Sequence, residues 1–235
     1  MADPRTPADP KTKPRRPRRR PGRPKAAEMV GQDDPRTRLE EVAIQIFAQH
    51  GYDAVSTGDV ARAAGLSQPM VHYHFGSKEA LWKAAMIRLM HTLGMRFPTN
   101  SAELKDLGPI DRLKVMTRRF ILLSGYEPNL AQIIIHESLS RSERLDWLIQ
   151  QYVRRGYAEF DTVLTDGIEA GMIKDLPLYA ITNSIISAAS CIFCFSPVVN
   201  KVYEVDITAS DRVQEVADTL VEIVFHGIVG KLGQG

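Results

Sequence analysis

Leu39, Val42, Ala43, Ile46 and Phe47 recur at i, i+3, i+4, i+7 and i+8, a spacing that predicts an amphipathic helix. Asp34 and Pro35 stand where an N-cap and a first helical residue belong, and Gly51 where the helix stops. Ser56 with Asp59 forms a capping box for a short second helix, whose small apolar face is Val60, Ala61 and Ala64 and whose stop is Gly65. Ser67 then caps a third helix with Pro69 in its first turn, and Ser77 caps a fourth from Lys78 to about Arg96, ended by Pro98. Downstream the pattern stays helical: Pro109 to near Ser124, Pro128 to near Ser138, then Ser140-Arg-Ser-Glu143 as a second capping box opening a helix that reaches about Ala170, with Gly171 its stop. Pro177 begins a helix apolar nearly all round, which Ser196-Pro197 closes after Phe195. The last opens between Thr208 and Asp211, with a seam of Val213, Val216, Ala217, Leu220, Val221, Val224, Phe225 and Ile228. No strand alternation of useful length and no internal repeat appears, so the expectation is an all-α chain of about nine helices.

The second and third helices predict a helix-turn-helix. Leu66 and Val71 can tuck beneath the turn, leaving Gln68, Met70, His72, Tyr73 and His74 free to enter a DNA major groove. Gly65-Leu-Ser-x-x-x-Val-x-Tyr-His-Phe-Gly-Ser-Lys-Glu-x-Leu81, with Ser56-Thr-Gly-Asp-Val-Ala before it, resembles the DNA-binding domain of the tetracycline-repressor (TetR) family over roughly residues 35 to 85. One position departs: many members carry an aromatic where this chain has His72. The resemblance implies that Tyr73 and Lys78 hold the DNA backbone, with Arg36, Ser56 and Thr57 as further phosphate candidates. Gln68 has the chemistry to pair bidentately with adenine and Met70 to meet a thymine methyl, while Ser67 caps its helix and touches phosphate.

Charge changes the picture at one end. The 235 residues carry a net charge of +2, yet residues 1–31 hold ten Lys/Arg against three acids. That segment has seven prolines and no aromatic, and it cannot bury enough surface to offset its ordering entropy; disorder is the expectation. Arg15, Arg16, Arg18, Arg19, Arg20, Arg23 and Lys25 make it a basic arm for polyanions. Arg20-Pro-Gly-Arg-Pro-Lys25 is similar to an AT-hook core, which reads an A·T minor groove, although Pro21 replaces its first arginine. Non-specific phosphate contact by a flexible arm is the plainer reading.

Other motifs carry less. His72 and His74 at i, i+2 fall on different helix faces, which argues against a metal pair, and no metal or other cofactor is expected. His136-Glu137 begins a zinc-protease pattern that fails at Ser140. Cys191 and Cys194, the only cysteines, lie one turn apart on an apolar helix without a basic neighbour: small buried side chains rather than a redox pair, and a reducing compartment. The apolar window from Ile181 to Val199 is interrupted by Thr182, Asn183, Ser184, Ser187, Ser190, Ser196 and Pro197, and it opposes a membrane span; no signal peptide is visible. No phosphate-cradling glycine loop, nucleophile elbow or paired-carboxylate signature is present, so the expectation is not an enzyme.

The family resemblance implies three segments: a basic arm over residues 1–31, a DNA-binding domain over 32–80, and a helical effector-binding and dimerisation domain over 81–235. It implies an apolar effector pocket, for which Met116, Phe120, Ile134, His136, Trp147, Tyr152, Phe160 and Phe193 are candidates. It also implies a homodimer in which Ile185, Ala189, Ile192, Val213, Val216, Leu220 and Val224 face a partner chain. Two readings remain. One is a cytoplasmic, nucleoid-associated repressor that leaves a palindromic operator in double-stranded DNA when a small apolar or aromatic effector binds. The other is an effector-independent architectural protein or activator that relies on the arm.

Overall fold

The computed structural model describes residues 34–96 and 101–228, so the basic arm with its Arg15 to Lys25 run, and Pro98, lie outside the described residues. Four helices come first: α1 (Pro35–His50), α2 (Thr57–Ala63), α3 (Gln68–Phe75) and α4 (Lys78–Arg96). After a 3₁₀ turn at Ser101–Leu104 follow α5 (Pro109–Tyr126), α6 (Asn129–Ser140) and α7 (Glu143–Leu148). A π-helical turn (Ile149–Val153) carries α7 into α8 (Arg154–Glu169), and α9 (Leu178–Cys194), α10 (Ser196–Tyr203) and α11 (Ser210–Ile228) complete the chain. No β-strand occurs among the described residues, in keeping with the all-α expectation.

The predicted faces are the buried ones. Leu39, Ala43 and Phe47 of α1 meet Val60, Ala61, Ala64 and Val71 of the helix-turn-helix and Leu81, Trp82, Ala85 and Met86 of α4. The same cluster takes in Leu123, Ile133 and Leu148 from α5, α6 and α7, so the core beneath the helix-turn-helix runs on into the rest of the fold. Farther on, α5 is the central post, packed by α8, α9 and α11. It permits close approach at Gly125, where an added Cβ would come 2.6 Å from a Val213 methyl and 2.9 Å from Cζ of Phe193.

Three expectations need correction. The second capping box is displaced by two residues: Arg141 ends α6 in a left-handed conformation (φ 49°), so Ser140 remains helical with its hydroxyl on the His136 and Glu137 carbonyls. Ser142 is the N-cap instead, accepting from the Leu145 amide at 3.2 Å. α9 ends at Cys194 with Phe195 as its C-cap, as expected, but Ser196-Pro197 also opens a further helix, α10, because proline fits the first turn of a new helix; the two helices bend by 62°. The expected interface seam is internal at three of its seven positions: Ile185, Ala189 and Val213 are at most 2% exposed within the chain itself, while Ile192, Val216, Leu220 and Val224 are half-buried. These side chains face α5, so they cannot all face a second subunit. The outward faces carry Ala180, Ser184, Ala188 and Phe195 from the α9 region and Thr219 and Ile223 on α11. On α9 itself, Tyr179, Asn183 and Ser184 are exposed. No single helix among the described residues is long and apolar enough to cross a membrane; α9 reaches that composition only together with the bent α10.

Candidate nucleic-acid interface

The first turn of α2 is built as predicted. The Ser56 hydroxyl accepts from the Asp59 amide at 3.1 Å, while the Ser56 amide donates to the Asp59 carboxylate at 2.9 Å. The Ser56 hydroxyl also donates to that carboxylate at 2.6 Å and holds it below the ordinary aspartate range, with the amide bond next in weight. Ser56 is thereby committed to the cap. Gly65 follows with φ 66°, a conformation that opens the tight turn into α3. Ser67 occupies the N-cap position of α3 without using its side chain there, so its hydroxyl is not consumed by the helix.

The third helix buries Val71 and turns most of its length to solvent. Tyr73 is 81% exposed, and Gln68 and His72 are also exposed. Met70 is half-buried. The Gln68 amide leans on α2, donating to Thr57 Oγ1 at 3.3 Å, which leaves the Thr57 hydroxyl proton free to donate elsewhere. His72 is turned toward its own helix end, with Nδ1 3.2 Å from the Gly76 carbonyl. His74 is not free as expected: it is half-buried, and its Nε2 is buried without a partner.

Beside α3 lies an open recess of ≈ 580 Å³ bounded by Ser56, Thr57, His72, Ser77 and Lys78. It brings together four residues proposed from sequence and the N-terminus of α4, whose amides favour anions. Lys78 is half-buried with Nζ 4.0 Å from the Tyr52 ring centre; burial pushes its pKa down, Asp53 opposes this and Arg144 adds to it. Arg36 stands elsewhere, paired with Glu40 at 3.1 Å and over the Phe75 ring. Arg38, absent from the sequence reading, lies across the helix-turn-helix turn, with Nη2 3.2 Å from where a Gly65 Cβ would be. Its place was unreadable because it sits on the polar side of α1.

Residues 40–85 match the family model described as "Bacterial regulatory proteins, tetR family", the span that contains α2, the turn, α3, the recess and the first two turns of α4. Over that span the chain is similar to the DNA-binding domain of the TetR family. Over 137 residues it is 30% identical to the HTH-type transcriptional regulatory protein RaaS of Mycobacterium tuberculosis, covering 58% of each protein, so under two thirds of that relative's length is spanned. Its fold is similar to that of the ketosteroid transcriptional regulator KstR2 of M. tuberculosis (TM-score 0.64, 22% identity, 85% of this chain and 97% of that one). It is also similar to AibR, solved in complex with isovaleryl coenzyme A and operator DNA (TM-score 0.66, 18% identity, 82% and 98%).

The pocket residues expected in a TetR-family body are not gathered at one place. Met116 and Phe160 belong to one cluster, Phe193 to another, and Trp147, Tyr152 and Ile134 to the cluster beneath the helix-turn-helix. Phe120 touches all three, with its ring 6.2 Å from Phe160. His136 lies against Gly51, 3.0 Å from where a Cβ there would stand. Near Phe120 on α5, Thr117 is 1% exposed and its hydroxyl has no partner, a polar group that burial alone would disfavour.

Proposed function

We propose that this protein is a TetR-type, sequence-specific DNA-binding transcription regulator, acting as a homodimer on a palindromic operator, and a repressor released by a small apolar or aromatic effector. The observation that carries the DNA-binding reading is the pairing of a largely solvent-facing α3 with the recess that ends at Lys78. In this reading Gln68 and Met70 read base edges. Tyr73, Lys78, Thr57 and the unused hydroxyl of Ser67 hold phosphates, which fixes register without reading sequence. Arg36 and Ser56 contribute less, being paired with Glu40 and Asp59. Residues 32–80 form the DNA-reading head and 81–235 the body. One eight-residue recognition helix spans few bases, and two copies would read half-sites about 34–36 Å apart. The exposed faces of α9 and α11 supply the dimer contact.

The effector reading is supported by the fold this chain shares with AibR, which was solved with both isovaleryl coenzyme A and operator DNA. Within this chain the place for it is the junction of clusters at Phe120, where Thr117 offers an unpaired hydroxyl. A ligand acts there only by binding the non-DNA conformation better. The protein is cytoplasmic and has no catalytic role in this reading.

A specific observation keeps the second reading in play. Residues 34–80 hold four Lys/Arg and six Asp/Glu, so the head alone does not attract DNA at a distance, whereas the arm does. Selection from a random-sequence duplex pool at physiological salt separates the two. An enriched inverted repeat supports the operator reading. An unenriched pool bound with a steep salt slope supports arm-driven, architectural binding and overturns it.

A further inference from the structure

Behind the recess, the Tyr52 ring is shared by two cations from different parts of the fold. Lys78 Nζ, at the start of α4, is 4.0 Å from its centre, and the Arg144 guanidinium carbon, on α7, is 3.6 Å from it. Arg144 is held from behind by Glu137 of α6, with Nε 3.2 and 3.1 Å from the two carboxylate oxygens. That carboxylate is buried and also accepts from the Ser142 hydroxyl. Asp53, in the loop after α1, completes the ring of charges at 4.0 Å from Arg144. At the neighbouring position His136 abuts Gly51, which has φ 74° and no Cβ to push α6 away.

We propose that Arg144, fixed by Glu137, is a positioning residue for DNA binding: it occupies the Tyr52 ring and so keeps the Lys78 ammonium available to a phosphate in the recess. The physics is competition for one aromatic surface. An aromatic ring attracts a cation lying against it, and a second cation is then repelled by the first. With Arg144 in place, Lys78 leaves Tyr52 for a phosphate at little cost. Without Arg144, the ring holds Lys78 alone and the phosphate must compete. Because Arg144 and Glu137 ride on α6 and α7, any movement of these helices relative to α1 changes the availability of Lys78, which couples the body to the head.

The inference rests on the phosphate role proposed for Lys78. The test is a double-mutant cycle on the full chain, with a labelled random-sequence 30-bp duplex (~30 bp, long enough for backbone contacts) titrated at several salt concentrations. The variants are Lys78→Ala, the charge-neutral pair Glu137→Gln/Arg144→Met, and all three substitutions together. The neutral pair avoids stranding a buried carboxylate, and thermal melting verifies its folding. The expected results are a lower salt slope for Lys78→Ala, by about 0.9, and a two- to fivefold (~2–5) affinity loss for the neutral pair. In the Lys78→Ala background the neutral pair should cause no further loss, an outcome general structural damage would not give. Should the neutral pair not fold, Glu137→Gln alone, which loosens the hold on Arg144 and leaves the Tyr52 ring in place, should lower affinity only while Lys78 is present; a loss that persists in the Lys78→Ala background overturns the coupling. Losses that multiply independently, or no loss from the neutral pair, overturn the coupling alone. No effect of Lys78→Ala on affinity or slope overturns both the coupling and the phosphate role.

Discussion

Removing Arg144 alone should be one of the costliest single substitutions in the chain. Its side chain is 17% exposed and that of Glu137 2%, so Arg144→Ala leaves a carboxylate inside the fold without its counter-charge. Breaking a buried pair from one side costs about 3–5 kcal/mol. The Ser142 hydroxyl stays on the carboxylate and softens this, while the lost contact with the Tyr52 ring adds about 0.5–1 kcal/mol. A net loss of about 3 kcal/mol follows, which for a chain of this length lowers the melting midpoint by roughly 6–12 °C. The decisive comparison is Arg144→Met with Glu137→Gln, where both charges leave together and the cost should fall to about 1 kcal/mol. Urea unfolding of the two variants and wild type, at one protein concentration so that self-association weighs equally, measures both values. A double variant that loses at least as much as the single one would refute the reasoning, since the damage would then lie in packing and not in the stranded carboxylate.

Three other outcomes follow from the same structure. Gly125→Ala should destabilise the fold by about 1–3 kcal/mol by thermal melting, because the new Cβ would press on Val213 and Phe193, both buried and unable to retreat. Tyr73→Ala should leave the unfolding free energy within about 0.5 kcal/mol of wild type, the side chain being 81% exposed, and yet weaken DNA binding in an electrophoretic shift assay. The folded state holds the Asp59 carboxyl below its ordinary value of 3.8, so its contribution is present above that pH and is lost as pH falls through the depressed folded value. Ser56→Ala removes the larger cause of the depression together with the N-cap bond to the Asp59 amide, so melting profiles of variant and wild type should differ most near neutral pH and draw closer in strong acid, the remaining gap being the lost cap.

What the sequence made legible was local. Apolar spacing located the faces of α1 and α11, and side-chain chemistry located the capping box at Ser56, because both are properties of residues within one or two turns of each other. The errors came where a choice depended on distant partners. Ser140 and Ser142 are equivalent as caps in sequence, and only the left-handed Arg141 decides between them. Ile185 and Val213 read as apolar on any surface, and only the position of α5 shows that they face inward. The candidate DNA-contact residues Gln68, His72, Tyr73 and Lys78 were proposed through a sequence pattern, and the structure adds how Thr57 and Tyr52 hold two of them. Arg144 gave no signal, being one of many arginines until the fold sets it 3.6 Å from an aromatic ring ninety-odd residues earlier (~90, a non-local contact no periodicity encodes). The scattering of Met116, Phe193 and Trp147 over three clusters has the same origin: an apolar residue announces burial but not its neighbours.

The central claim is that α3 and the Lys78 recess read specific DNA. Its most direct test is capture of fragments of the source genome by the purified full chain at physiological salt, beside Tyr73→Ala/Lys78→Ala and a form lacking residues 1–31. The account predicts a few fragments sharing a palindrome, lost with the double substitution and retained, more weakly, without the arm. Uniform capture that survives the double substitution and vanishes with the arm would contradict it.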